Sequence, residues 1–165
     1  MSKKILVVDG HNVIFRCEKL RQLKEIAPEK LIDLLNRAAF LDFDEIYVFF
    51  DASERFREQY VSGRVKVFKC RKGETADSAI IGFLKTLSKP YSARVVSDDY
   101  VVQQGTVAAR QLRMTVREFF SELENGILKL KKHVGPSKLR RSLSEEQLKQ
   151  LENLYFNLIK NKNER

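Results

Sequence analysis

Proline (three residues), glycine (seven) and cysteine (two) are scarce in these 165 residues, and tryptophan is absent. So few prolines and glycines imply short loops. Cys17 and Cys70 stand far apart, with no Cys-x-x-Cys and no neighbouring histidine pair. That spacing excludes a zinc site and a disulfide framework, and both read as reduced thiols without a role. No apolar run reaches the roughly 18 residues that span a bilayer. Ile5–Val8 is too short for the core of a secretion signal, so a cytoplasmic protein is expected. A hydrophobic share of 43% and a charged share of 32% exclude a mainly disordered chain. The length suits a single domain whose core needs neither disulfide nor metal.

Positive charge is in excess, at a formal +9, and it is unevenly placed. Residues 129–165 hold ten Lys/Arg against four Glu, or +6, which leaves +3 for residues 1–128. The densest stretch contains Lys129, Lys131, Lys132, Lys138, Arg140 and Arg141, with His133 among them. Such a cluster attracts polyanions, of which nucleic acid is the commonest in a cytoplasm; the plain alternative is a solvated face that maintains solubility. No clustered aromatic face accompanies these lysines, which disfavours a membrane surface.

Ile5–Val8 and Glu45–Phe50 are continuous apolar runs, the pattern of strands buried on both faces. Residues 64–68 alternate, as an edge strand does, and residues 94–97 make a short central strand. Between them, Leu31, Leu34, Leu35 and Ala38 follow Pro28 at helical spacing, and Ala76, Ile80, Phe83, Leu84 and Leu87 form one apolar stripe. Thr115 and Glu118 make a capping box, and Asn125-Gly126 is expected to stop that helix. Gly135-Pro136 breaks the chain, after which Ser144 and Gln147 can cap a last helix, with Leu143 and Leu148 as its staple. The stripe Leu148, Leu151, Tyr155 and Leu158 must bury against the main domain. Strands alternating with helices predict an α/β fold with a mainly parallel sheet and helices on both faces.

Acids stand at the ends of these strands. Asp9 follows the first, Asp51 the second and Asp98 the fourth, while Asp77 opens the helix after Gly73-Glu74-Thr75. Parallel strands share one carboxyl edge, where ligands bind, so these acids should converge. Clustered carboxylates repel, and a hard divalent cation such as Mg2+ or Mn2+ removes the penalty. Each acid also has a plain structural alternative: Asp9-Gly10 as a turn, Asp51 as a cap for residues 52–54, Asp77 as a partner of the helix dipole, Asp98 or Asp99 as a helix cap. Asn12 could orient a carboxylate or satisfy a loop; His11 could contact phosphate or serve structure alone.

Several chemistries fail on spacing. There is no GxxxxGK[ST] loop, no GxGxxG after the first strand and no GxSxG elbow. His11 stands where a haloacid-dehalogenase phosphatase needs its second aspartate. What remains, in order, is Val7-Val-Asp-Gly-His-Asn-Val-Ile14, Phe49-Phe-Asp-Ala52, Lys72-Gly-Glu-Thr-Ala-Asp-Ser78, Val95-Val-Ser-Asp98 and Leu112-Arg-Met-Thr-Val-Arg-Glu118. Together these blocks resemble the YacP-like branch of the NYN nucleases, within the PIN-like superfamily. The resemblance runs from about residue 4 to 125 and less specifically into the tail.

The resemblance implies a PIN-like three-layer α/β/α fold over residues 1–128, with a basic C-terminal extension at 129–165 whose helix packs on it. It implies a metal-dependent ribonuclease, usually an endonuclease, of the bacterial cytoplasm. Asp9, Asp77 and Asp98 match the family's main acids and would hold Mg2+ or Mn2+; Asp51 and Asn12 match accessory positions. Some relatives act in mRNA decay on the ribosome, which makes the ribosome an expected partner beside RNA. His11 stands where relatives carry tyrosine, and Asp99 where they carry a basic or polar residue. The pair Asp98-Asp99 leaves open which acid faces the metal, though the register after the strand points to Asp98. Lys69, Arg71 and Lys72 precede the Asp77 helix and would grip the RNA backbone, together with His11 and the basic tail. A non-catalytic RNA- or ribosome-binding module on a nuclease-like fold is the competing reading.

Overall fold

The computed structural model describes residues 3–38, 41–51, 58–132 and 144–158. Among them a six-stranded sheet runs in the order β3-β4-β2-β1-β5-β6. Strands β1 (Ile5–Asp9), β2 (Glu45–Phe50), β4 (Val65–Lys69), β5 (Ala93–Val96) and β6 (Leu112–Met114) are parallel. β3 (Glu58–Ser62) pairs antiparallel with β4 at one edge.

The apolar runs of β1 and β2 feed two cores. Leu6, Val8, Ile46, Val48 and Phe50 point to one face of the sheet; Ile5, Val7, Tyr47 and Phe49 point to the other. The first face is covered by α1 (Gly10–Arg16), α2 (Glu18–Gln22), α3 (Ala27–Arg37), α6 (Val116–Lys132) and α7 (Glu145–Leu158). The second is covered by α4 (Ala76–Lys85) and α5 (Tyr100–Ala108). Helices on both faces make the three-layer α/β/α arrangement that the alternation of elements predicts.

Three elements depart from the sequence reading. Asn125-Gly126 does not end α6, which continues to Lys132. Phe119, Leu123, Ile127 and Leu130 carry one buried stripe through the glycine, and that burial outweighs the roughly 1 kcal/mol a helical glycine costs. β3 carries no strand-like apolar pattern and was not expected. Its turn into β4 rests on Gly63, at φ +58°, and on Asn36, which donates to the Ser62 carbonyl at 3.0 Å and accepts from the Arg64 amide at 2.9 Å. β6 is three residues long with Leu112 half exposed, too short to read as a strand.

The last helix is capped as its box predicts. The Ser144 amide donates to Gln147 Oε1 at 2.9 Å, and the Gln147 amide to Ser144 Oγ at 3.1 Å. Leu151 and Tyr155 are buried against the main body; the Tyr155 hydroxyl lies 3.2 Å from Glu124 Oε2. Residues 52–54, His133, Gly135-Pro136, Lys138, Arg140, Arg141 and Leu143 lie outside the described residues. No helix among the described residues is long and apolar enough to cross a membrane.

Candidate active site

β1 lies in the middle of the sheet, with β2 on one side and β5 on the other. The crevice at the carboxyl ends of these strands is the position where α/β sheets bind ligands. Asp9 is the last residue of β1, Asp51 follows β2, Asp98 and Asp99 follow β5, and Asp77 lies in the first turn of α4. Gly10 starts α1 directly after Asp9. A Cβ there would stand 2.3 Å from the Phe50 ring, so only glycine allows the strand to turn into a helix against β2.

Asp9 is 4% exposed and accepts a 2.7 Å hydrogen bond from the Ser97 hydroxyl at Oδ2. Burial pushes its carboxyl up to about 6; the Ser97 bond opposes that, and the charges of Asp77, Asp51 and Asp99 add to it. Asp77 is raised as well, by burial first and then by Asp99 and Asp51. Four acids therefore act on one another at this edge. Among the described residues, no three or more His, Cys, Asp or Glu are gathered as a metal centre. The donor set still fits a hard cation: all its atoms are carboxylate oxygens, and their mutual repulsion is what a divalent ion relieves.

The surrounding bonds hold these acids in place. Asp51 Oδ1 accepts from the Ala76 amide at 2.8 Å, which ties the end of β2 to the start of α4. The Asp51 amide donates to His11 Nδ1 at 2.9 Å, and the His11 ring stands edge-on to Phe50 with centroids 5.2 Å apart. His11 thus positions Asp51. Asn12 Oδ1 accepts from the Asp98 amide at 2.8 Å, pinning the β5–α5 loop to α1.

The two adjacent acids divide their work. Asp98 Oδ1 accepts from the Val116 amide at 3.0 Å, and Oδ2 lies 3.5 Å from Arg16 Nε, so this side chain joins α6 to α1. Asp99 Oδ1 accepts from the Val101 and Val102 amides at 2.8 and 3.2 Å, capping α5. It is Asp99 whose charge raises Asp9 and Asp77.

The profile of the YacP-like NYN domain matches residues 6–157. The chain belongs to the YacP-like NYN domain family. That family lies within the PIN-like nucleases. This NYN chain is 28% identical over 160 residues to the protein YacP of Bacillus subtilis, across 90% of this chain and 94% of that one. Its fold is similar to that of Rae1 (YacP) from Bacillus subtilis. One crystal structure, of a mutant, gives a TM-score of 0.67 at 24% identity over 90% of this chain and 98% of that one. A second gives 0.64 at 24% identity over 91% and 93%.

The cations of this NYN domain are partly engaged within it. Lys69 Nζ lies 3.5 Å from Glu58, Arg71 Nε 2.9 Å from Glu74, and Lys131 Nζ 2.6 Å from Glu152, where it holds α7 on α6. Lys72 and Lys129 are exposed, and Lys132 is the last residue of α6. Sequence reading did not single out Ser97 or Arg16. Ser97 had a signal: it is a polar residue directly after an apolar strand, and Val96 beside it pairs with Val8 next to Asp9.

Proposed function

We propose that this NYN domain is a metal-dependent endoribonuclease that hydrolyses RNA phosphodiester bonds, in mRNA decay or RNA processing. The observation that carries the proposal is the acidic crevice itself: Asp9 is buried and held at about 6 among Asp77, Asp51 and Asp99. A buried acid that repels its neighbours costs stability, and such arrangements cluster at functional sites. Asp9, Asp77 and Asp99 would hold Mg2+ or Mn2+. The family resemblance and the strand register point to Asp98 for that set; its bonds to Val116 and Arg16 favour Asp99 in its place. When bound, such a cation supplies charge neutralisation at the phosphoryl group and a water of lowered pKa.

The chain's own residues do the rest. Ser97 orients the Asp9 carboxylate and joins it to the loop of Asp99, whose amide donates to Ser97 Oγ at 3.1 Å. His11 holds the Asp51 backbone beside α4, and Asn12 holds the loop of Asp98 and Asp99. Lys69 and Lys72 would position the RNA backbone, and Lys129, with the basic stretch beyond it, would lengthen the contact. The family resemblance supports mRNA presented on the ribosome as a setting.

The test is incubation of a long labelled RNA with Mn2+ or Mg2+, with EDTA, and with Asp9→Asn purified identically. Discrete internal cuts that vanish with EDTA and with the variant are expected. Cuts that persist in either control would refute the proposal. A second reading, an RNA-binding module without catalysis, is favoured by the fact that, among the described residues, no three or more His, Cys, Asp or Glu are close enough to share a metal ion. It predicts salt-sensitive binding and no cutting under any cation.

A further inference from the structure

Beside the acidic crevice lies a cleft of about 620 Å3 between α1, the turn before α3 and the β3–β4 hairpin. Its walls include His11, Lys24, Phe50, Asp51, Tyr60 and Lys69. His11 and Asp51 belong to both the cleft and the crevice, so the two are continuous. The volume lies within the range of roughly 300–1,000 Å3 typical of small-ligand sites.

The lining has the chemistry of a nucleotide site. His11 and Tyr60 offer aromatic surface to a base, and Lys69 Nζ already stands 5.6 Å from the Tyr60 ring centroid. Lys24 and Lys69 come from different elements and can meet phosphate oxygens. Glu25 and Glu29, also on the wall, are acceptors for an amino edge of a base. A site for an inorganic anion alone would not place glutamates and aromatic rings beside its lysines.

Lys24 sits at φ 51°, in the left-handed region, as Asp42, Tyr91 and Arg110 also do.

We propose that this cleft is a nucleotide subsite, which takes one unpaired nucleotide of an RNA whose next phosphate lies at the acidic crevice. The base lies against the His11 and Tyr60 surface, and Lys24 and Lys69 meet its phosphate. The inference rests on the RNA reading above, but its test does not depend on cleavage.

The test is fluorescence anisotropy of a short labelled single-stranded RNA in EDTA, beside an abasic strand of the same length. Wild type should bind the RNA about tenfold more tightly than the abasic strand. Tyr60→Ala should remove that difference by weakening RNA alone, and Tyr60→Phe should keep it. Lys24→Gly should weaken both strands and lower the salt slope by about one, without loss of thermal stability, because glycine tolerates that φ. Equal binding of RNA and abasic strand by wild type would overturn the subsite, whether or not Tyr60→Ala folds. So would a free nucleoside monophosphate bound as tightly as the strand. RNA held through Tyr60 but never cut would leave the subsite standing and refute the nuclease. RNA cut normally by Tyr60→Ala, with unchanged KM, would do the reverse.

Discussion

Asp9 shows how a single side chain trades stability for chemistry. Its carboxyl is raised from 3.8 to about 6, so the folded chain binds that proton more tightly than the unfolded chain does. The sign follows: below about pH 4 the group is protonated in both states and costs nothing. The cost grows as pH rises from 4 to 6 and is fully present above that. Two pKa units correspond to about 3 kcal/mol at most. Asp9→Asn removes the charge and leaves an acceptor for Ser97. In EDTA it should melt higher than wild type at pH 7.5, by about 1–3 kcal/mol, and match it near pH 4. Thermal melts across that range check this; a variant less stable at every pH would contradict it. Gly10 is constrained in another way. Gly10→Ala places a methyl group into the buried Phe50 ring and should cost about 1–3 kcal/mol in denaturant unfolding.

At the scale of elements, the two acids after β5 make the sharpest contrast. Asp98 joins α6 to α1, and Asp99 caps α5 and charges the crevice. Asp99→Asn keeps a capping oxygen and removes the charge, so cleavage should fall at least a hundredfold with little change in melting. Asp98→Ala should lower stability by about 1 kcal/mol and leave most of the rate in the folded protein. The reverse pattern would return Asp98 to the centre.

The central elements and most of the acids were legible in the sequence for a physical reason. β1 and β2 are buried on both faces, so each shows as an unbroken apolar run, and an acid ending such a run stands out. Adjacent acids past a strand are different: which one enters the crevice depends on loop bonds such as Asn12 to the Asp98 amide. β3 was illegible because it sits at an edge with Glu58, Gln59 and Val61 exposed. The end of α6 is not legible because its local stop signal loses to the tertiary burial of Ile127 and Leu130. α7 was legible through its capping box and its stripe. Its attachment predicts that Leu151→Ala, a fully buried truncation, costs about 2–4 kcal/mol in denaturant unfolding.

For the whole molecule, the sheet's crossover gathers acids from four places in the sequence onto one edge, while the net charge of +9 draws a polyanion towards them. Attraction comes from the surface, and chemistry from a small acidic patch on it. On this reading the patch takes a divalent cation. The most direct measurement is a calorimetric titration of Mn2+ into wild type and Asp9→Asn near pH 6, where Asp9 is still partly protonated, repeated in buffers of different ionisation heat. Saturable binding in wild type, with proton release from the raised carboxyls and loss in the variant, is the result expected. Absence of Mn2+ binding by the folded wild type, or equal binding by Asp9→Asn, would contradict it.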